Sequence, residues 1–439
     1  MAEGGMGFAN FRLSFASLLV LGLILGPWAP LSVVDTAPAT LFVKADAAGG
    51  DCTQSQPCTL AAALATATGG DTIYVAEGTY VGAGDQAVVT LAKSLTLYGG
   101  WDGSPTGPPV RDPSARPTIL DGEGARRVVQ VTAGTSTLEG FTITRGYSSS
   151  SGGGIYAIEA GINLRGNRIT DNVSGHDGGA LFISRGSAQI VGNDISGNSA
   201  TWAAGLRLIN DVDVSVIGNR IHDNQATISG GAMEIACCGR VTAFIAANVI
   251  SDNDGGSLGG GVLVESTSAT LQNNILARNQ ATRGSNVYAE GSTEFPASVA
   301  MTNNTLVGSG AGSEGIWVDA YVTAVLVNNL ITGHGVGMPI PAAGSAVTAE
   351  HNLFWNAEDP YTGIAPVLAD PRLDPAHHLT ADSPARDAGK AVGLATDIDG
   401  DSRPFSGSYD IGADEYVEDV AKSYLPLVTK RTAVEGSQP

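Results

Sequence analysis

Residues 218–224 read GNRIHDN, and close variants of this phrase recur along the chain. GNRITDN begins at Gly166, GNDISGN at Gly192 and ANVISDN at Ala247. The asparagine at the second position returns every 23 to 30 residues, at Asn167, Asn193, Asn219, Asn248, Asn274, Asn304, Asn329 and Asn352. A repeat of this length with variable insertions predicts a solenoid in which each repeat is one coil and the insertions lie in loops.

Each repeat also contains short runs with the alternation of β-strands. A glycine-led segment recurs as GGGIYAI from Gly152, GGALFIS from Gly178, GGAMEIA from Gly230 and GGGVLVE from Gly259. Between these segments lie alternating runs such as VDVSV at residues 212–216. Nothing in the repeat has the length or periodicity of a helix, so about three short strands per coil predict an all-β parallel β-helix.

Stacked coils explain the recurring asparagine. Equivalent residues of a parallel β-helix lie above one another at a spacing of ~4.8 Å, and a side-chain amide can bond its copies above and below. We therefore predict an asparagine ladder at an inward-facing turn. Two residues further on, an aliphatic core stack is predicted from Ile169, Ile195, Ile221, Ile250, Leu276, Leu306, Ile331 and Phe354.

Composition excludes some classes of partner. The chain has 439 residues, of which 43% are hydrophobic and 6% aromatic, so it can build a large core from small aliphatic side chains. Its formal charge of −20 repels nucleic acid and anionic lipid. We expect no nucleic-acid partner, and polyanion binding would require a bridging cation.

The first 39 residues resemble a targeting segment. Arg12 precedes the apolar run at residues 13–26, and small residues at 37–39 suit a cleavage site. An uncleaved anchor is the alternative, but the run is shorter than the ~20 residues that a span needs. We expect an exported protein, secreted or at the cell surface, with no integral membrane span in the mature chain.

The cysteines of an exported protein can form disulfides, because disulfides persist in oxidising compartments. Cys52 and Cys58 bracket the short loop DCTQSQPC, and we expect a disulfide there. Cys237 and Cys238 are adjacent, which permits a strained ring or two separate thiols, free or metal-bound. Thiols are the expected state of this pair.

Two stretches carry a family resemblance. The asparagine phrase, the glycine-led strand and the opening at residues 49–80 (GGDCTQSQPCTLAAALATATGGDTIYVAEGTY) resemble secreted right-handed parallel β-helix proteins of the pectate-lyase-like superfamily. Residues 383–415 (SPARDAG…TDIDGDSRP…YDIGADE) resemble the C-terminal module of choice-of-anchor Q proteins. The resemblance implies a right-handed β-helix but no particular activity, because that superfamily includes lyases, hydrolases, adhesins and proteins without known chemistry.

The domain organisation follows from these features. Open ends of a β-helix must be covered, since their strands otherwise pair with other chains. Residues 59–68 (TLAAALATAT) begin with a capping threonine and predict a short helix over the first coil. We expect a signal peptide over residues 1–39, a cap over 40–70, the β-helix over 71–365, a segment closing the far end over 366–416 and a flexible tail over 417–439.

Strand parity predicts which side chains face solvent. One column is aliphatic and is assigned inward: Ala157, Ile183, Ile209, Ile235, Val264, Ala289, Val318 and Ala349. Arg207 falls on this inward parity and marks a bulge or a register error. One outward column is Tyr156, Phe182, Leu208, Glu234, Leu263, Tyr288, Trp317 and Thr348, and a second ends in Glu265, Glu290, Asp319 and Glu350.

An aromatic column beside an acidic one offers rings for sugar faces and carboxylates for hydroxyls or cations. The ligand-binding candidates are Tyr156, Phe182, Tyr288 and Trp317. The catalytic candidates are Glu265, Glu290, Asp319 and Arg207. The alternative is an ordinary solvated face, because exposed acids add solubility and isolated exposed rings are common.

The chain also has a candidate Ca²⁺ loop. Asp397, Asp399 and Asp401 alternate around Gly400, and such loops can place several oxygens around Ca²⁺. The loop lacks the twelfth-position glutamate of an EF-hand, and a plain acidic turn fits equally well.

Two functions from different classes follow. The favoured one is a monomeric protein associated with an extracellular polysaccharide or cell-wall glycan, in a binding or structural role. The other is a polysaccharide lyase or glycoside hydrolase. No sequence motif specific for one reaction is present, which favours the first.

Overall fold

The computed structural model describes residues 37–84, 86–210, 212–236, 241–339, 341–356, 363–405 and 407–418. Most of the predicted signal peptide, Cys237, Cys238 and most of the predicted tail lie outside these residues. The prediction of an all-β, right-handed parallel β-helix with about 26 residues per coil is confirmed, and the chain makes about 11 turns. Among the described residues no helix has the length and apolar character needed to cross a membrane.

In the part of the chain that the structure describes, three long parallel sheets and one short sheet run along the solenoid. Sheet A has twelve strands: Thr40–Val43, Thr72–Ala76, Thr96–Trp101, Thr135–Glu139, Gly161–Arg165, Ser187–Val191, Asp213–Ile217, Thr242–Ala246, Ser268–Gln272, Ala297–Thr302, Val322–Val327 and Ala346–Glu350. Sheet B has eleven: Gly78–Val81, Thr118–Asp121, Phe141–Thr144, Arg168–Thr170, Asp194–Ser196, Arg220–His222, Val249–Ser251, Ile275–Ala277, Thr305–Glu314, Leu330–Val336 and Leu353–Trp355.

The chain passes from sheet A to sheet B, then to sheet C, directly or through sheet D. Sheet C has nine strands: Val89–Leu91, Val129–Val131, Ile155–Ile158, Leu181–Ser184, Leu206–Ile209, Met233–Ala236, Val262–Glu265, Val287–Glu290 and Ile316–Val318. Sheet D has four: Tyr147–Ser148, Val173–Ser174, Ser199–Trp202 and Gln225–Ser229. Each coil is too small to bury its own apolar face, so stacking builds the core.

The predicted asparagine ladder lies at the turn between sheets A and B. Asn219 Nδ2 donates to Asn248 Oδ1 at 3.0 Å and to the Ile190 carbonyl at 2.7 Å, while Asn193 Nδ2 donates to Asn219 Oδ1 at 3.0 Å. Asn219 is 2% exposed, so these bonds satisfy groups that water does not reach. The predicted aliphatic stack is buried and in register in sheet B, as Ile195, Ile221 and Ile250 show.

The closing asparagine of the phrase forms a second ladder, not predicted from the sequence, at the end of the sheet B strands. Its rungs are Asn172, Asn198, Asn224, Asn253 and Asn279, each bonding the next through its amide. Asn279 Nδ2 then donates to Asn286 Oδ1 at 2.9 Å, and Asn286 Nδ2 contacts His334 Nε2 at 3.2 Å. Burial lowers the pKa of His334 to about 4, so this imidazole is neutral at physiological pH.

The N-terminal end is covered as predicted. Helix α1 spans Leu60–Thr66, and Thr59 caps it by accepting a hydrogen bond from the Ala62 N–H at 3.2 Å. Leu60 and Ala63 pack into the core of the first coils. The Cys52–Cys58 disulfide is present, with a Cα–Cα distance of 4.5 Å.

The C-terminal segment extends the far end of the solenoid and also packs along its side. Ile364 and Val367 add bridges to the last strands of sheets A and B. Residues 371–416, which we call the strap, then run back along the outside of the turns that join sheet A to sheet B. Asn273, Asn303 and Asn328 donate from these turns to strap carbonyls, and Ile398 and Ala413 pack on Ile275 and Ala277 of sheet B.

Candidate functional site

The outer face of sheet C carries the predicted columns, with one register change. Strand pairing places Arg207 beside Phe182 and Glu234, so Arg207 points outward with them. Leu208, in register with Ile183 and Ile235, is the inward residue. The inward assignment of Ile209 and the outward assignment of Leu208 were therefore wrong by one position, because the loop before this strand is one residue shorter than its neighbours.

The last predicted members of the columns belong elsewhere. Thr348, Ala349 and Glu350 form part of a sheet A strand and pair with Val325, Leu326 and Val327. Sheet C ends at Ile316–Val318, because the coil that follows has no strand in this position among the described residues. The first outer column of sheet C is therefore Tyr156, Phe182, Arg207, Glu234, Leu263, Tyr288 and Trp317.

Loops cover much of this column, and the glycine-led segment explains how. The leading glycine of each segment has a positive φ, as at Gly284 (+59°), and a Cβ there would lie 2.8 Å from Tyr288 Cβ. Glycine thus lets the loop fold directly over the outward side chain. Tyr288 is 2% and Phe182 6% exposed, so neither ring can stack on a ligand while these loops stay in place.

The half-buried Trp317 and Tyr156 mark the two ends of the column. Six strand spacings separate them, which corresponds to about 29 Å. The guanidinium of Arg283 lies 4.7 Å from the Trp317 ring, and that of Arg127 lies 4.3 Å from the Tyr156 ring. Each aromatic end therefore carries a cation on its ring, an arrangement that favours ordered side chains. Neither arginine was predicted from the sequence, because both lie in loops whose spacing is irregular.

The predicted acidic column is present beside Trp317. Glu265 and Glu290 are register partners, and Asp319 continues the column one coil further. The Tyr288 hydroxyl contacts Glu290 Oε2 at 2.8 Å and Asp319 Oδ2 at 2.9 Å. Trp317 Nε1 donates to the same Asp319 oxygen at 3.4 Å. Buried tyrosine and half-buried tryptophan thus hold two carboxylates at fixed positions on this face.

Glu265 and Asp319, at the two ends of the acidic column, have pKa values shifted in opposite directions. Burial raises the pKa of Glu265, with repulsion from Glu290 adding to the effect and Arg207 opposing it. Burial also acts to raise the pKa of Asp319, but hydrogen bonds from Tyr288, the backbone and Trp317 outweigh it, and the pKa is lowered. Asp319 is therefore a stable anion, whereas Glu265 holds its proton more tightly than an ordinary glutamate.

We expect Glu265→Gln to raise the thermal unfolding midpoint at pH 7. A raised folded-state pKa means that folding disfavours the ionised form, so the charge destabilises the fold once the pH exceeds that pKa. The difference from wild type should disappear below the ordinary glutamate pKa, where both side chains are neutral. Glu159→Gln is the matched control, because Glu159 is exposed and pairs with Arg185 at 2.9 Å. An equal rise in both variants, or none in Glu265→Gln, would contradict this account of Glu265.

An ion-pair network occupies the middle of the face. The Arg207 guanidinium pairs with Glu234, and its Nε lies 3.5 Å from Asp177 Oδ1. Glu234 is 2% exposed and also accepts a hydrogen bond from Ser229 Oγ at 2.9 Å. With two carboxylates holding its charge, Arg207 is suited to orienting groups rather than to accepting a proton.

On its Asp397 side, the predicted Ca²⁺ loop is closed by hydrogen bonds from the backbone. Asp397 is buried, and its Oδ1 accepts hydrogen bonds from the N–H groups of Asp399 (2.9 Å) and Asp401 (2.8 Å). Its Oδ2 accepts another from Glu415 N at 2.9 Å. Burial raises the pKa of Asp397 to about 6. Three backbone donors thus already bind the Asp397 carboxylate, and Asp399 points to His378 instead, with 3.1 Å between Oδ2 and Nε2.

Comparison with solved structures shows which folds this chain is similar to. The crystal structure of pectate lyase Pel9A is 12% identical, over 87% of this chain and 97% of that chain, with a TM-score of 0.50. The complex structure of XylC with xylose is 10% identical, over 85% and 98%, with a TM-score of 0.41. The PL6 family alginate lyase AlyGC is 13% identical, over 77% and 54%, with a TM-score of 0.35. At these identities the likeness concerns the fold alone.

Sequence comparison identifies a family for this chain but no curated relative. No curated protein matches this chain. A family described as a protein of unknown function, DUF1565, matches residues 45–298, which is more than half of the sequence and includes most of the coils that carry the outer column. The chain is therefore a member of the DUF1565 family of proteins of unknown function.

Proposed function

We propose that this protein binds an extracellular glycan at the Trp317 end of the outer face of sheet C, without cleaving it. The observation that carries the proposal is the network at the Trp317 end, where an indole and a buried phenol hold Asp319 and Glu290 in place. Sugars present apolar faces to aromatic rings and hydroxyl donors to carboxylates. A fixed, partly covered indole between such acceptors supports binding at low entropic cost.

Charge indicates the kind of glycan. Glu290 and Asp319 lie around Trp317, and Glu265 lies one coil beyond Glu290. These three carboxylates outnumber the nearby guanidinium groups, since Arg283 lies over the Trp317 ring and Arg207 is already paired with Glu234. Such a surface repels a polyuronate unless a cation bridges the two, whereas hydroxyl groups can donate to it directly. A neutral, hydroxyl-rich polysaccharide is therefore the proposed ligand class. Ca²⁺ would be needed only for an acidic one.

Location outside the cytoplasm is part of the proposal. The Cys52–Cys58 disulfide supports an oxidising compartment, and the apolar run at residues 13–26 supports export. Secretion or cell-surface retention would bring the sheet C face to cell-wall or environmental polysaccharides.

Glycoside hydrolysis is the second candidate, because the pKa of Glu265 is raised beside its register partner Glu290. A carboxyl group with a raised pKa beside a second carboxyl group is the arrangement that general acid catalysis uses, and retaining enzymes place the two about 5–5.5 Å apart. Against this, the neighbourhood of the pair has no sequence motif of a particular reaction. The two functions differ in one observable, the release of new chain ends.

The test is affinity electrophoresis of the purified mature protein in gels containing neutral, uronate-containing or amino-sugar polysaccharides. Incubation of the same polysaccharides with the protein is followed by assays for reducing ends and for unsaturated products. We expect retardation by a neutral polysaccharide and no new chain ends. Products that disappear in Glu265→Gln would establish the hydrolase instead. Neither retardation nor new chain ends with any of the polysaccharides would refute both functions.

A further inference from the structure

Three potential metal ligands converge in the strap, away from sheet C. They are His378, Asp399 and Asp414, which come from three stretches of the strap that are distant in sequence. One ligand atom from each lies within 4.8 Å of the others, and His378 Nε2 is 3.1 Å from Asp399 Oδ2. The fold therefore brings one imidazole and two carboxylates to a single point.

Backbone hydrogen bonds hold the neighbourhood of two of these ligands in place. The backbone N–H of His378 donates to Asp374 Oδ1 at 2.9 Å, and the same oxygen lies 3.6 Å from His378 Nδ1. A carboxylate behind the imidazole is the usual arrangement around a metal-bound histidine, since it directs the other ring nitrogen to the ion. Leu379 N donates to Asp414 Oδ2 at 2.7 Å, which holds that carboxylate in a buried position.

The geometry suits a small ion. Ligand atoms about 2.0–2.2 Å from a shared ion lie at most ~4.4 Å apart. The three ligand atoms lie within 4.8 Å of one another, so side-chain movements of a few tenths of an ångström bring them within this limit. Two of the three side chains are buried, and the Asp399 side chain is 41% exposed. Solvent can reach the ion on the Asp399 side, where water would complete the coordination.

The donor set selects the class of metal. Ca²⁺ and Mg²⁺ prefer oxygen ligands, whereas an imidazole together with carboxylates suits Zn²⁺ and similar transition-metal ions. We propose that His378, Asp399 and Asp414 bind one Zn²⁺ ion, or a chemically similar divalent transition-metal ion, which cross-links the strap. This site shares only Asp399 with the predicted Ca²⁺ loop, whose Asp397 carboxylate binds backbone donors.

A cross-link here has a structural consequence. The three ligands join the start, the middle and the end of the strap, which lies against the turns at Asn273, Asn303 and Asn328. An ion that binds only the folded strap stabilises it by mass action. Metal removal should therefore increase protease cleavage between residues 378 and 414 without altering the sheet C face.

The test is calorimetric titration of untagged, chelator-treated protein with ZnCl₂, CaCl₂ and MgCl₂. A Cys237→Ser/Cys238→Ser background removes competing thiols. We expect one Zn²⁺ per chain, a higher melting temperature with Zn²⁺, and weaker or no binding of Ca²⁺ and Mg²⁺. His378→Gln and the surface variant Asp399→Asn should each weaken Zn²⁺ binding by more than about 10-fold.

Two variants are matched controls. His377→Gln changes the neighbouring histidine, whose Nε2 contacts Arg278 at 3.1 Å, and Asp401→Asn changes the predicted Ca²⁺ loop. Both should bind Zn²⁺ as the parent does. Absence of Zn²⁺ binding in the parent, or binding that persists in both His378→Gln and Asp399→Asn, would overturn the proposal. If metal-free His378→Gln has a lower melting temperature than the metal-free parent, Zn²⁺ binding by Asp399→Asn alone tests the proposal, because the Asp399 side chain lies at the surface.

Discussion

Arg403→Ala is expected to destabilise the strap by about 3–5 kcal/mol, the usual cost of leaving one partner of a buried ion pair alone. Arg403 and Glu415 have fully buried side chains, and Nη1 donates to Glu415 Oε2 at 2.8 Å. Nη2 donates to the Gly412 carbonyl at 2.8 Å. The alanine variant would leave a buried carboxylate without its cation and a carbonyl without its donor.

The measurement is urea unfolding together with hydrogen exchange of the peptide covering residues 396–416. Because the strap packs on the solenoid, its loss should appear as faster exchange there even if the coils remain folded. Arg372→Ala is the matched control, since Arg372 and Asp382 form an exposed pair and such pairs contribute at most about 1 kcal/mol. Equal effects of the two variants would contradict the assigned role of the buried pair.

Asn219→Leu is expected to cost about 3 kcal/mol or more of unfolding free energy. The Asn219 amide donates to Asn248 Oδ1 and to the Ile190 carbonyl, and it accepts from the Asn193 N–H at 2.8 Å. Leucine would leave several of these buried groups without partners, each costing about 1–3 kcal/mol. Relaxation of the turn offsets part of that sum.

Asn163→Leu is the matched control for the ladder. Asn163 lies half-buried on the outer side of sheet A and makes one bond, from Nδ2 to Thr137 Oγ1 at 3.3 Å. We expect a change within about 0.5 kcal/mol for this surface substitution. Chemical denaturation of both variants decides the matter, and an unchanged midpoint for Asn219→Leu would refute the ladder's energetic role.

The coil repeat was predictable because it depends on local, periodic signals. An asparagine, an aliphatic residue and a glycine-led strand recur at nearly constant spacing, and stacking makes each recurrence a contact with its copy. The register of Arg207 was not predictable in the same way. A single shorter loop moves a strand by one residue, and only the pairing with Phe182 and Glu234 reveals the shift.

Contacts between distant segments also escaped prediction. The sequence places Asp397, Asp399 and Asp401 side by side and so favoured a local metal loop. In the fold, backbone donors bind the Asp397 carboxylate, while Asp399 meets His378, which is far away in the sequence. Likewise, the acidic column was predicted, but the burial of Tyr288 beneath its loop was not, because the covering depends on the path of an aperiodic segment.

The central claim is that the Trp317 end of sheet C binds glycan. Its most direct test is the dissociation constant of wild type, Trp317→Ala and Phe244→Ala for the polysaccharide that retards the protein. Phe244 is a 36% exposed ring on the outer face of sheet A and serves as the control. We expect Trp317→Ala to bind about 10- to 100-fold more weakly at a nearly unchanged melting temperature, corresponding to the burial of one aromatic surface. The claim would be contradicted if all three proteins had the same affinity for that polysaccharide.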